Sequence, residues 1–191
     1  MKSAELKTIP FKTAKTFGIW LKKNHVKSPG IWIQFFKKAS GVKTITYAEA
    51  LDIALCYGWI DSQAKSFDDK SYLQRFGPRR QKSIWSKINR LHVARLGKEG
   101  RMTPAGILQV TSAKADGRWE NAYDSPKNMV VPDDLLGALA RHKKAEHFFK
   151  SLSKSNVYAI VWRLQTAKKP ETRKKRMDLI LEMLKKGQKF H

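Results

Sequence analysis

Apolar residues recur at helical spacing in FKTAKTFGIWLKKN, residues 11–24, where Phe17, Trp20 and Leu21 share a side, and the SPG that follows ends the helix. The next stretch, GIWIQFFKK, opens on Trp32 and Ile33 and closes on lysines, as a strand would. In TITYAEALDIALCYG the helical period returns. Thr46 and Glu49 fit a capping box, Tyr47, Leu51, Ala54 and Leu55 make the face to be buried, and Gly58 supplies the stop. WIDSQAKSF and SYLQRF then alternate like two strands joined by the acidic turn DDK, which predicts an antiparallel hairpin. Strict alternation puts Trp59, Asp61 and Gln63 on one face and Ile60, Ser62 and Ala64 on the other.

Gly77 and Pro78 break the second strand. Ser83 is then expected to cap a helix running to about Lys98, buried through Ile84, Ile88, Leu91 and Leu96. Thr103 as cap and Pro104 at the first helical position open PAGILQVTSAKADG, which Gly117 ends. The tract RWENAYDSPKNMVVP reads as a linker. Everything after it has helical periodicity: Leu135, Leu136 and Leu139; Phe148, Phe149 and Leu152; Val157, Ile160, Val161 and Leu164; Met177, Ile180, Leu181 and Leu184. That pattern predicts three or four helices, with Pro170 opening the last and Gly187 closing it. The expected fold class is α+β, a small antiparallel sheet packed with helices in residues 1–126, followed by a C-terminal helical bundle in residues 127–191.

A chain of 191 residues that is 41% hydrophobic can bury one good core, or a core with a small appendage. Charge changes the picture more. The net charge is +23, and it concentrates in residues 75–101 and 127–191. Such a field attracts polyanions: nucleic acid, acidic headgroups or phosphates. Cys56 is the single cysteine, so no intrachain disulfide forms and the residue reads as part of the core. Neither an apolar export segment at the N-terminus nor a run of about 18 apolar residues is present, which points to a cytoplasmic chain without a membrane span.

Nucleotide-loop, nucleophile-elbow and paired-cysteine motifs are missing, and the five histidines are scattered, so neither a metal nor a cofactor is expected. The basic segment is more informative. Arg79, Arg80 and Lys82 precede Ser83, whose expected cap leaves amide donors free, and Lys87 and Arg90 follow, so that together with Arg75 they could seat a phosphate. Trp85 in that first turn is either core or a stacking surface for a base. Asp61, sharing a face with Trp59 and Gln63, is either partly buried and paired or part of a pocket floor with Tyr72 and Arg75.

The strings NHVKSPGIWIQFFKKASG, TYAEALDIALCYGWIDSQ, RFGPRRQKSIWSKINR, GRMTPAGI and AKADGRW, followed by VPDDL and AKKPETRKKR, resemble the bacterial YdeI/OmpD-associated (OmdA, bacteriocin-protection) family from about residue 11 to 187. The resemblance implies a C-terminal helical module of the kind that names the family, and an N-terminal part grouped loosely with YjbR-like and frataxin-like (CyaY) α+β proteins. It implies a link to stress or antimicrobial tolerance but brings no catalytic residues. An iron-handling role by frataxin analogy fits poorly, since frataxins present an acidic ridge and this chain is strongly basic. Three functions stay open. One is a non-enzymatic binder of nucleic acid or a phosphorylated ligand through residues 79–90; another is an enzyme or small-molecule sensor with a pocket around Trp59, Asp61, Gln63, Tyr72 and Arg75; the third makes the helical tail, residues 127–191, a module that binds a protein partner.

Overall fold

A computed structural model describes residues 6–190. The chain divides into two compact units, one made of residues up to 83 together with 89–120, the other of residues 84–88 together with 121 onward. The first unit holds strands β1 (Thr8–Ile9), β2 (Ile31–Phe36), β3 (Trp59–Ser66) and β4 (Ser71–Pro78), and helices α1 (Ala14–Asn24), α2 (Tyr47–Cys56) and α4 (Pro104–Ala115). Helix α3 (Lys87–Lys98) also lies in it, apart from its first two residues. The sheet order is β1-β2-β4-β3. It is mixed rather than purely antiparallel, because β1, two residues long and followed by Pro10, runs parallel to β2.

One face of this sheet is buried under α1 and α2. Ile31, Ile33 and Phe35 alternate into a cluster with Phe17 and Leu21 of α1, Ala50 and Ala54 of α2, Trp59 and Phe76. Each large apolar side chain fully buried here is worth roughly 1.5–3 kcal/mol. Local signals fix the helices around it. Thr13 and Thr16 form a capping box at α1, and Thr46 and Glu49 form the expected one at α2. There the Thr46 amide donates to Glu49 at 2.9 Å, a bond that with the Thr46 hydroxyl holds the Glu49 carboxyl below its usual range. Gly58 ends the helix with φ +72°.

The hairpin forms as expected, but its side-chain alternation does not survive. A bulge interrupts the register between Asp61, opposite Phe76, and Ala64, opposite Gln74. An extra residue in one strand shifts all later side chains to the other face. Asp61 and Ala64 therefore both oppose residues of the core-facing set, while Ser62 and Gln63 sit in the irregular stretch.

Two further expectations fail between residues 83 and 98. The helix begins at Lys87, not Ser83. Ile88 and Leu91 are exposed, and the buried positions of α3 are Asn89, Val93 and Leu96. The tract expected as a linker is also structured: Arg118 is buried, its Nε donates to Asp116 at 2.7 Å, and its Nη1 donates to the Ser83 carbonyl at 3.0 Å.

In the second unit, Ser86 bridges Tyr123 in parallel, and four helices follow: α5 (Asp133–Ala140), α6 (Lys143–Lys150), α7 (Lys154–Gln165) and α8 (Pro170–Lys185). Their core is Leu135, Leu139, Ala145, Phe149, Ile160, Leu164, Ile180 and Leu184, all but Ala145 being positions of the expected helical repeat, whereas Leu136 of that repeat is exposed. No helix of the described residues is long and apolar enough to cross a membrane.

Candidate functional site

The basic segment and a pocket around Trp59, Asp61, Gln63, Tyr72 and Arg75 were the two candidates, and the geometry breaks up both. Arg79 is buried, and its backbone N–H donates to the Gly58 carbonyl at 3.0 Å. Ser83 caps no helix. Its hydroxyl accepts from the Arg80 amide at 3.0 Å, closing a turn of four residues. Trp85 is 1% exposed and offers no face for stacking. Lys87 lies 2.8 Å from Asp124. Arg90 donates to the Trp119 carbonyl at 2.8 Å and lies over the Trp119 ring. Arg75 pairs in register with Trp32, which alternates with the buried Ile31 and Ile33 and so projects from the face away from the core. Of the proposed anion seat, Arg80 and Lys82 remain as exposed cations.

The pocket residues also divide. Trp59 is core, its Nε1 donating to the His25 carbonyl at 3.0 Å. Gln63 is exposed beside the bulge. Tyr72 and Asp61, however, come to the same face of the sheet, and there a groove opens.

That groove, of about 630 Å³, is lined by Phe35, Phe36, Lys38, Lys43, Tyr47 and Tyr72 together with the loop residues between Gly41 and Thr46. Its volume falls within the roughly 300–1,000 Å³ common for ligand sites. The loop is held over the sheet at both ends. The Lys37 amide donates to the Lys70 carbonyl at 2.8 Å, and the Ile45 amide to the Phe11 carbonyl at 3.1 Å. Between them a 3-10 turn (Lys38–Ser40) ends on Gly41 at φ +71°, a conformation that favours glycine.

Three rings set the wall. Phe35 is buried and stacks against Tyr72, with centroids 5.4 Å apart and planes 20° apart, and meets Tyr47 edge-on at 6.4 Å. Tyr47 is 38% exposed although it begins a helix face expected to be buried. Its hydroxyl donates to Asp61 at 2.9 Å. Burial pushes the Tyr72 phenol above its ordinary range, so it stays protonated at neutral pH. Two cations, Lys38 and Lys43, line the groove itself. Such a site offers ring faces for stacking and ammonium groups for phosphate.

Of this lining the sequence singled out Tyr72 and passed over Phe35, Phe36, Lys38, Lys43 and Tyr47; Asp61 touches the groove only through the Tyr47 hydroxyl. The lysines that close β2, followed by a glycine and then a capping box, were the available signal.

Elsewhere in this unit, Asp52 accepts from Arg95 at 2.6 Å and from His92 at 2.8 Å. Burial opposes its ionisation, but the hydrogen bonds from Arg95 and His92 outweigh that cost and hold its carboxyl below the usual range. Burial raises the thiol pKa of Cys56, which makes it a poor nucleophile. Among the described residues no group of three His, Cys, Asp or Glu is placed to hold a metal ion.

Comparison with protein families divides the chain in the same N-terminal and C-terminal sense. A family model described as Domain of unknown function (DUF8412) matches residues 9–109. A second, described as Bacteriocin-protection, YdeI or OmpD-Associated, matches residues 128–187, so the recognised family resides in the helical part. Neither a curated protein nor a solved structure matches the chain.

Proposed function

This chain belongs to the family described as Domain of unknown function (DUF8412) and carries a YdeI/OmpD-associated domain behind it, and from that premise we propose that it is a non-enzymatic binder of single-stranded nucleic acid. The observation that carries this reading is the groove: a stacked aromatic wall with Lys38 and Lys43 at its side. Base–aromatic stacking contributes about 1–3 kcal/mol per base and tolerates any sequence. A duplex hides the ring faces that this wall would meet. A cytoplasmic location goes with this reading, and a part in antimicrobial tolerance goes with the bacteriocin-protection description of the C-terminal match.

Fluorescence anisotropy with a labelled single-stranded oligonucleotide and its duplex tests it. Tighter binding of the single strand, weakening linearly in log salt, supports it; equal affinity for both forms refutes it. A phosphorylated small ligand with one ring is the second reading, favoured by the groove's volume. It is distinguished by a thermal shift with mononucleotides that oligonucleotides do not exceed.

A further inference from the structure

We propose a second binding site, in the C-terminal unit, for a small organic anion: a carboxylate or phosphate ester carrying one ring or a short apolar body. Helix α8 ends in a Schellman arrangement, with Gly187 at φ +66°, its N–H donating to the Leu184 carbonyl at 3.1 Å and the Gln188 N–H donating to the Met183 carbonyl at 2.9 Å. This turn sends the chain back, and Phe190 comes to lie under the Arg163 guanidinium, 4.3 Å from ring centroid to the guanidinium carbon. Phe190, Arg163, Trp162, Arg176 and Leu179 then enclose a pocket of about 280 Å³.

Both guanidinium groups are held by neutral acceptors. Arg163 donates from Nη1 to the Ala159 carbonyl at 3.3 Å. Arg176 donates from Nη1 to the Arg163 carbonyl at 2.6 Å and to the Thr166 hydroxyl at 3.0 Å. Among the described residues no carboxylate pairs with either. Arg173, one turn earlier on α8, forms a two-pronged pair with Asp134. The C-terminal end of α7 offsets part of one charge through its dipole, and the remainder lies beside an apolar wall with no carboxylate of the described residues paired to it. Fixed, forked donors of this kind suit carboxylate and phosphate oxygens, while Trp162 and Leu179 would receive the apolar body. The site is independent of the groove in the first unit.

Fluorine NMR on the full chain tests the proposal, with 4-fluorobenzoate and 4-fluorophenyl phosphate as probes, 4-fluorobenzamide as the neutral match and inorganic phosphate as competitor, all at 150 mM chloride. The two anions are expected to bind at least tenfold more tightly than the amide. Arg163→Gln with Arg176→Gln should abolish that preference. Leu179→Trp keeps both charges and fills the pocket from a 55% exposed position, so it should weaken the fluorinated anions at least tenfold while the protein stays folded. Displacement of the probes by inorganic phosphate as effective as that by unlabelled benzoate, run as a second competitor, would mean that the ring contributes nothing and would overturn the proposal. So would equal binding of the amide, or unchanged anion binding in Leu179→Trp.

Discussion

The Tyr47 hydroxyl donates to the Asp61 carboxylate across 2.9 Å, tying the first residue of α2 to β3 at the edge of the aromatic groove. This pairing explains an acidic side chain set between Trp59 and the exposed Gln63. Asp61 holds Tyr47 in place, and the carboxylate is the negative charge that an incoming phosphate would meet. Removing that charge should help binding. At about 8 Å and an effective dielectric constant of about 60 the repulsion is roughly 0.7 kcal/mol, so Asp61→Asn is expected to tighten a single-stranded oligonucleotide about threefold at low salt. Anisotropy titration checks this; an unchanged or weaker affinity counts against the groove.

Lys38 and Lys43 should act through phosphates and not bases. Each phosphate contact to a single strand adds about 0.7 to the slope of log affinity against log salt. The double variant Lys38→Ala, Lys43→Ala should therefore flatten the slope by about 1.4, uniformly across sequences. A salt titration with two oligonucleotides of different composition measures it.

Asp52 links pH to stability. Its carboxyl is held below the unfolded range by Arg95 and His92, so the folded state binds protons less readily than the unfolded one. The contribution is complete above the unfolded carboxylate pKa near 4 and declines as pH falls through the lower folded value. Asp52→Asn should cost about 1–2 kcal/mol at pH 7, and denaturation curves of variant and wild type should converge in strong acid. A constant difference from pH 7 to pH 2 would show that the pairing is not what is lost.

Close backbone approach joins α4 to α2. The Thr103 hydroxyl donates to the Cys56 carbonyl at 2.7 Å, and a methyl group at Gly106 would run into that same carbonyl. Gly106→Ala would have to part the helices, at about 3 kcal/mol. For a chain of this size that lowers the midpoint of the first unit's thermal transition by roughly 6–12 °C, whereas Gly97→Ala, with open space around it, should not lower it.

Much of the fold is written locally and was legible. The Thr46–Glu49 box, the Gly58 stop and the apolar repeats of residues 135–184 each depend on neighbours within a few positions. What was not legible depends on pairing at a distance. The bulge after Asp61 is set by how β3 meets β4, and it displaced every side-chain assignment beyond it. Ser83 has the chemistry of a cap, but its hydroxyl turns back to Arg80 while Arg118, from 35 positions later, holds its carbonyl. The run of cations from Arg75 to Arg90 looked like one seat because sequence proximity hides direction. Arg75 leaves the sheet on one face, Arg79 is buried, and Lys87 and Arg90 have partners of their own. The groove went unseen for the converse reason: Phe35 and Tyr72 are 37 residues apart and stack because β2 and β4 place them opposite each other.

Photocrosslinking tests the central claim most directly. A single-stranded oligonucleotide containing 4-thiouridine, bound to the full chain and irradiated, reports by peptide mass which side chains touch its bases. The expected adducts fall on Tyr72, Tyr47 or Phe36. Adducts confined to residues outside the groove, with none on those three rings, would contradict a nucleic-acid site there.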